Sequence, residues 1–298
     1  MKWKRNTGFD QIEDRRGQGG GAIGFPGGGG GGIPIPIPGG KAGGGLGTLI
    51  VVVVLFLLFS GVLGGGGSIP GLGGLSGGGG GEPGGTLDPQ SPTDEQLAYI
   101  VSDIQDYWAA TFRASGRDYP ETRLVLFDGA TQSSCGPASA ATGPFYCPAD
   151  QKVYLDLGFF DELQSRFGAQ GGDFAMAYVV AHEFGHHVQT ALGISDQVQQ
   201  AAAQDPSRRN DLSVRQELQA DCLAGAWANS AQSELQPGDI EEALSAASAV
   251  GDDRIQQSTS GRIDPESWTH GSAEQRVAWF TKGFRSGDAD QCDTFAQT

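Results

Sequence analysis

The sequence predicts an α+β domain, mainly helical with a small antiparallel sheet, preceded by a single transmembrane helix and Gly-rich disordered segments. Three observations support this prediction. Glycine accounts for 50 of the 298 residues and is concentrated before about residue 86, so the folded part is mostly C-terminal. Beyond that point, apolar residues recur mainly at helical spacing, and only a few short runs have the character of strands. Between two Gly-rich stretches lies an uncharged, apolar run of 18 residues.

The first stretch, residues 1–45, carries six basic and three acidic side chains and is otherwise rich in Gly and Pro. Such a composition buries too little apolar surface to offset the entropy lost on ordering, so we predict a disordered cytoplasmic tail. The alternating Ile-Pro run at residues 33–38 favours an extended backbone and is better explained as a spacer than as a docking motif.

The apolar run, residues 46–63, is near the lower limit for crossing a hydrocarbon core of about 30 Å. A buried strand is rarely so long, and a cleaved signal peptide would begin near residue 1. We therefore predict an uncleaved single-pass anchor in the cell membrane. The excess of basic residues before it places the N-terminus in the cytoplasm and the rest of the chain outside. Residues 64–92 form a Gly/Pro-rich linker that reaches roughly 30 Å.

Residues 93–298 are predicted to form the folded domain. The first helix is predicted to be capped by Thr93, where Gln96 completes a capping box. Apolar residues then follow at helical spacing: Leu97, Ile100, Val101, Ile104, Trp108 and Phe112. An edge strand in this domain would either hold an extended peptide or belong to a core hairpin, and both interpretations stay open. The further predicted elements are a strand at 123–127, a hairpin of 145–147 with 152–156, and helices at 173–192 and 239–250. Two more helices are predicted to be capped by Ser213 and Ser272, where Gln216 and Gln275 complete capping boxes.

The helix at 173–192 contains the pattern H-E-x-x-H, formed by His182, Glu183 and His186. Positions i and i+4 lie on one face of a helix, so both imidazoles can reach one metal ion. A catalytic zinc takes such ligands and keeps one position open for water. Glu183 lies near enough to act as the general base on that water. Because only three positions are fixed, the pattern also arises by chance, and the residues that follow must decide.

The next predicted helix carries Glu217 and Asp221, which are four residues apart and therefore share a face. By themselves they would indicate a surface pair. Together with the upstream motif, Glu217 is expected to be the third metal ligand. Asp221 is expected to accept a hydrogen bond from a ligand histidine and so fix its tautomer.

The remaining histidines are His187 and His270. His187 is rotated by about 100° from His186 and is expected to play no part in metal binding. His270 would donate a hydrogen bond to the oxyanion of the hydrolysis intermediate, with Arg276 helping to place it. Equally, His270 would be a structural residue that precedes a helix.

The net charge of −16 disfavours nucleic-acid binding, which needs a basic surface, and indicates a soluble exposed surface. The chain has four cysteines: Cys135, Cys147, Cys222 and Cys292. In the cytosol they would be free thiols. In an oxidising compartment, Cys222 would pair with Cys292 and Cys135 with Cys147, although the sequence leaves the connectivity open.

The chain resembles the bacterial "putative neutral zinc metallopeptidase" family, and the resemblance covers nearly all of it. It implies a zincin-like α+β domain of the thermolysin type, one Zn²⁺ per chain and a glutamate as third ligand. The segments that carry it are residues 9–17, the apolar run, Cys135-Gly136-Pro137, residues 143–148, H-E-F-G-H-H-V-Q at 182–189, residues 217–222 and Thr269-His270-Gly271.

The predicted function is therefore a membrane-anchored zinc endopeptidase that hydrolyses proteins or peptides outside the cytoplasmic membrane. One alternative is a non-hydrolytic, membrane-tethered partner protein with a structural zinc. A structural site needs no base, so the intact Glu183 disfavours that alternative. A zinc amidase acting on cell-wall peptides is a third possibility.

Overall fold

Eight α-helices and six short β-strands make up most of the described chain, which confirms the mainly helical α+β prediction. The structure is a computed structural model that describes residues 1–2, 8–17 and 87–296. The helices are α1 (Pro92–Ala114), α2 (Gly158–Phe167), α3 (Asp173–Ala191), α4 (Ile194–Gln204), α5 (Arg209–Ser230), α6 (Asp239–Ala249), α7 (Asp252–Thr259) and α8 (Ala273–Ser286). The strands are β1 (Ile12–Asp14), β2 (Arg123–Leu126), β3 (Ala130–Ser133), β4 (Gly136–Ser139), β5 (Phe145–Cys147) and β6 (Lys152–Leu155).

The main sheet has the strand order β1-β2-β6-β5, and β3 and β4 form a separate pair. The predicted hairpin is present, because β5 and β6 are antiparallel. The separate pair β3 and β4 is antiparallel as well. The prediction of an antiparallel sheet is wrong for the rest of the main sheet, since β1 with β2 and β2 with β6 are parallel pairs. Parallel partners are joined by long connections, and local sequence patterns do not specify such pairings.

Helix α1 is capped by Ser91, two residues before the predicted cap Thr93, which lies inside the helix. The side chain of Ser91 accepts a hydrogen bond from the Asp94 amide, and Pro92 occupies the first turn. Pro is favoured there because the first amides have no partner within the helix. The apolar residues expected to form its buried face do so: Leu97, Ile100, Val101, Ile104, Trp108 and Phe112 are all buried.

Helix α3 is the central helix of the domain and is buried along most of its length. Its neighbours are α1, α5, α6 and the strands β5 and β6. A helix that is enclosed on all sides belongs to the core, so its polar residues need partners inside the protein. His182 and Glu183 are among these buried polar residues.

Helices α5 and α8 pack closely against each other. A Cβ atom at Gly283 would overlap the carbonyl of Cys222, so this crossing requires a residue without a side chain. The predicted capping box of Ser272 and Gln275 is present at the start of α8. Helix α5 begins at Arg209, whereas Ser213, the predicted cap, lies inside it and donates to the carbonyl of Thr269 at 2.9 Å.

Residues 8–17 belong to the folded domain, which corrects the prediction that residues 1–45 are a disordered tail. Ile12 is buried and pairs with Leu124 in the sheet. Arg16 donates to Asp14 and to Asp94 at 2.8 Å each. These contacts stabilise a short strand. The composition does not reveal it, because its few residues are averaged with those of a Gly-rich stretch. The remainder of the predicted tail, residues 18–45, lies outside the described residues.

The predicted transmembrane helix, residues 46–63, and most of the predicted linker also lie outside the described residues. Within the described ranges, no helix is both long and apolar enough to cross a membrane.

The pairing of β1 with β2 restricts how the chain can be oriented in a membrane. A single crossing at 46–63 would put β1 and β2 on opposite sides of the membrane, yet they pair in one sheet. A cytoplasmic N-terminus with an external domain is therefore incompatible with this fold.

Two disulfide bonds are formed, Cys135–Cys147 and Cys222–Cys292, as the sequence suggested for an oxidising compartment. The first joins the turn between β3 and β4 to the edge strand β5. The second joins helix α5 to the C-terminal turn Ala289–Cys292. The C-terminal end of the described chain is thereby tied to the helix that carries Glu217 and Asp221.

Candidate metal centre

His182 and His186 on α3 and Glu217 on α5 form a compact group that could hold a metal ion. Their candidate ligand atoms all lie within 4.8 Å of one another. His182 Nε2 is 3.2 Å from Glu217 Oε2, and His186 Nε2 is 3.4 Å from Glu217 Oε1. Tetrahedral zinc with bonds of about 2.0–2.1 Å separates neighbouring ligand atoms by about 3.3 Å. The donor set and its spacing therefore fit zinc, with the three residues that the sequence singled out.

The two helices approach closely because the contact between them is made by small residues. A Cβ atom at Gly185 would lie 3.0 Å from Ala220 Cα and 3.1 Å from its carbonyl oxygen. Gly185 lies between the two histidines of α3, and Ala220 lies between Glu217 and Asp221 of α5. This close contact brings the carboxylates of one helix against the imidazoles of the other.

Asp221 is fully buried and holds His182 from behind. Its Oδ1 lies 2.9 Å from His182 Nδ1 and accepts the Tyr178 hydroxyl at 2.6 Å. Arg276 donates to Asp221 through Nε at 2.8 Å and Nη2 at 2.9 Å. When His182 Nδ1 carries the proton, its Nε2 lone pair faces Glu217 and is free to bind a metal.

The charges in this group shift its pKa values in opposite directions. Burial alone would raise the pKa of Asp221, but Arg276 and His182 lower it to about 2. Burial alone would lower the pKa of His182, but Asp221 and Glu217 raise it to about 9. Although burial opposes ionisation of Glu217 too, His186 and His182 hold its pKa well below the usual value. Both carboxylates are therefore ionised at neutral pH, and Glu217 can offer a charged oxygen to a metal ion.

Glu183 follows His182 on the same helix and is 8% exposed. Burial raises its pKa above the ordinary value for glutamate, against the opposing charges of His182, His186 and Arg276. A carboxyl group with a raised pKa takes up and returns a proton more readily near neutral pH. This is the property required of the predicted general base.

His270 lies in the loop before α8 and is held by Asp252, the first residue of α7. Its Nδ1 is 3.1 Å from Asp252 Oδ1, and Asp252 Oδ2 accepts the amides of Thr269, His270 and Gly271 at 2.6–3.0 Å. Burial would lower the pKa of His270, but Asp252 and the nearby charge of Glu217 raise it. Arg276 was expected to place His270; that expectation is wrong, because Arg276 is engaged by Asp221 and Asp252 takes this role.

Sequence reasoning did not find three polar residues around the site: Tyr178, Gln189 and Asp252. Tyr178 is one turn before His182, and Gln189 lies 2.9 Å from His186 Nδ1. Helical spacing on α3 was the signal that could have found these two. Asp252 follows Gly251 at a helix start, but no motif relates it to a histidine that is 18 residues away.

His187 faces away from the metal group, as expected. It is fully buried, and its Nδ1 lies 3.1 Å from the hydroxyl of Tyr146 on β5, while Nε2 meets the carbonyl of Pro120. These contacts join α3 to the edge of the main sheet. The role of His187 is therefore to position α3 beside β5.

Comparison with known proteins supports the metal-site interpretation at the level of a family. The family model described as "Putative neutral zinc metallopeptidase" matches residues 1–295. The uncharacterized protein YpfJ of Escherichia coli is 44% identical over 308 residues, which covers 100% of both chains. An uncharacterized protein of Mycobacterium tuberculosis is 50% identical over 190 residues, which covers 60% of this chain and 64% of that protein. No solved structure matches.

Proposed function

Since the chain belongs to the family described as "putative neutral zinc metallopeptidase", we propose that it is a zinc-dependent endopeptidase that cleaves proteins or peptides. Zinc is held by His182, His186 and Glu217. The observation that carries this proposal is the convergence of these three side chains, with the buried Glu183 next to them.

The chemistry divides between the metal and the protein. When bound, zinc acidifies a water molecule and polarises the carbonyl of the scissile bond. Glu183 accepts the proton from the attacking water and returns it to the departing amine. The raised pKa of Glu183 supports this double role, because a carboxylate with a raised pKa is a stronger base for the proton that it takes from water. Asp221 and Arg276 take no part in proton transfer and keep His182 in place.

His270 stabilises the developing oxyanion in this proposal. Asp252 accepts from Nδ1, so Nε2 can donate a hydrogen bond to the substrate when the ring is an imidazolium with a proton on both nitrogens. The raised pKa of His270 favours that form, which is also a strong donor. The charges of His270 and Glu217 shift each other's pKa, so the two side chains lie near each other. This proximity to a metal ligand supports placing His270 at the reacting carbonyl.

Strand β5 is a candidate for holding an extended peptide. It forms one edge of the main sheet as described, and Tyr146 on this strand contacts His187 of the motif helix. An edge strand offers backbone amides and carbonyls that pair with an added strand. A peptide held there would run alongside α3, which contacts β5.

Contact with a membrane through residues 46–63 stays part of the proposal, since the sequence supports it. The arrangement must leave residues 8–17 and 87–296 on one side, because β1 and β2 pair in one sheet. The two disulfides support an oxidising compartment for that side.

The proposal is tested by comparing the full chain with Glu183→Gln, which keeps the shape of the side chain and removes the base. Zinc content is measured per chain, and cleavage is measured on a peptide library that includes cell-wall peptides. Glu162→Gln, which alters an exposed ion pair on α2, is the matched control.

We expect one zinc in all three proteins and a cleavage rate about 10²- to 10⁴-fold lower in Glu183→Gln alone. Zinc bound without cleavage of any peptide by the unaltered protein would favour a non-hydrolytic zinc protein. Cleavage confined to cell-wall peptides would favour the amidase.

A further inference from the structure

The geometry points to Gln189 as a positioning residue for His186, within a hydrogen-bonded chain that runs through Gln219 to the carbonyl of Cys292. This inference rests on the proposed zinc site. Gln189 is fully buried on α3, and its Oε1 lies 2.9 Å from His186 Nδ1. Its Nε2 donates to the carbonyl of Gln216 at 2.7 Å and to Gln219 Oε1 at 3.0 Å.

These contacts determine which way the amide of Gln189 faces. A backbone carbonyl only accepts, so the group facing Gln216 must be the NH₂ of the side chain. The oxygen of the amide then faces His186, and an oxygen only accepts. His186 must therefore carry a proton on Nδ1, which leaves the Nε2 lone pair facing Glu217 Oε1 at 3.4 Å. Gln189 thus selects the tautomer of His186 that binds a metal.

The amide of Gln219 is oriented by the same reasoning. Its Nε2 donates to the carbonyl of Cys292 at 3.1 Å, so its oxygen faces Gln189. Cys292 is bonded to Cys222, three residues after Gln219 on α5. The chain of hydrogen bonds therefore begins at a disulfide-anchored carbonyl and ends at the imidazole of His186. In each of these hydrogen bonds, only one of the two groups can be the donor.

The two histidines of the site thus have different supports. His182 is held by a carboxylate, Asp221, whose charge is balanced by Arg276. His186 is held by the neutral amide of Gln189, which is buried. An amide fixes the ring of His186 without adding charge to the site. Loss of this amide should lower the affinity for zinc by more than it lowers the stability of the zinc-free fold.

Four variants of the full chain test this inference. Gln189→Met keeps the length of the side chain and removes the acceptor. Gln189→Glu keeps an oxygen for His186 Nδ1 but loses the two donated hydrogen bonds. Gln219→Met removes the next link. Gln105→Met is the matched control, because Gln105 is a buried amide on α1 that exchanges two hydrogen bonds with the backbone of Thr122.

Zinc dissociation constants are measured by competition with a chelator, and the visible spectrum of the cobalt-loaded protein reports the ligand geometry. Unfolding by urea in the presence of a chelator reports folding separately. Gln189→Met should weaken zinc binding about 10- to 100-fold and shift the cobalt spectrum. Gln219→Met should weaken it less, and Gln105→Met should lower only stability. Gln189→Glu should bind zinc more tightly than Gln189→Met.

The inference is overturned if Gln189→Met binds zinc within twofold of the unaltered protein with the same cobalt spectrum. It is also overturned if Gln189→Glu binds no more tightly than Gln189→Met, since the acceptor oxygen would then be irrelevant. Failure of the unaltered chain to bind zinc would instead contradict the proposed function. The two failures are therefore distinguishable.

Discussion

Each imidazole of the candidate metal centre is fixed through its Nδ1 atom, and each partner comes from a helix. Asp221 on α5 holds His182, and Gln189 on α3 holds His186. Partners of this kind orient metal-binding histidines and set their tautomers. Because both are buried, the positions of the two Nε2 atoms are determined by the core.

The role of His270 is tested by His270→Ala and Asp252→Asn. Loss of an oxyanion donor lowers turnover by about 10²- to 10³-fold, so His270→Ala should do so with zinc content unchanged. Asp252 raises the pKa of His270, so the imidazolium persists to higher pH than for free histidine. Turnover should therefore fall as pH rises through that pKa, and Asp252→Asn should move the fall to lower pH.

The measurement is kcat against pH for the three proteins at saturating peptide. A structural role for His270 would show as a loss of stability with an unshifted pH profile. An identical profile in Asp252→Asn would contradict the assignment of Asp252.

The sequence predicted the metal-binding residues because they follow helical spacing. His182, Glu183 and His186 lie on one helix, and Glu217 and Asp221 share a face of another. Asp252 was missed because it reaches His270 only through the packing of α7 against the loop before α8. The same reason explains why Arg276 was assigned to a sequence neighbour rather than to Asp221, which lies on another helix.

At the scale of elements, the helices were predictable and the first strand was not. Helices α1, α3 and α6 have periodic apolar residues and recognisable starts, so their bounds agree with prediction to within a residue or two. Strand β1 has three residues, two of them acidic, and no pattern of its own. Its stability comes from pairing with β2 and from the ion pairs of Arg16.

Acid should release β1 before the domain unfolds. The hydrogen bond from Arg16 is the largest cause that lowers the pKa of Asp14 below its usual value. A carboxyl group with a lowered pKa in the folded state contributes stability above its unfolded pKa of about 4. That stability is lost as pH falls through the folded pKa. The protection of the backbone amides of residues 124–126 against hydrogen exchange, measured between neutral and acidic pH, should therefore be lost first at this edge.

Asp14→Asn is the corresponding variant, and it should weaken the attachment of β1 by about 1–3 kcal/mol at neutral pH. It should also remove the contribution of Asp14 to the acid response, meaning the loss of protection of residues 124–126 as pH falls. An acid response of the same size in Asp14→Asn would contradict this assignment.

At the scale of the whole molecule, the segments on either side of residues 18–86 belong to one fold. Asp94 accepts from Arg16 at 2.8 Å and from the amide of Asp88 at 3.0 Å, so the two segments meet there. Local composition divided the chain between these segments, whereas strand β1 pairs with β2. The domain boundary predicted at residue 93 therefore omits a strand of the main sheet.

Residues 8–17 and the domain should be found on the same side of any membrane. Asp10→Cys and Glu162→Cys place thiols at two exposed positions, one in each part. A membrane-impermeant maleimide applied to intact cells should label both or neither, and the parent chain with its disulfides intact is the control. Labelling of one position alone would contradict the pairing of β1 with β2.

The most direct test of the account is the position of zinc in a crystal of the full chain. Anomalous diffraction collected on both sides of the zinc absorption edge locates the ion without reference to activity. We expect one peak per chain, at about 2.0–2.2 Å from a nitrogen of His182, a nitrogen of His186 and an oxygen of Glu217. A peak bound by other residues, or no peak after zinc is supplied, would contradict it.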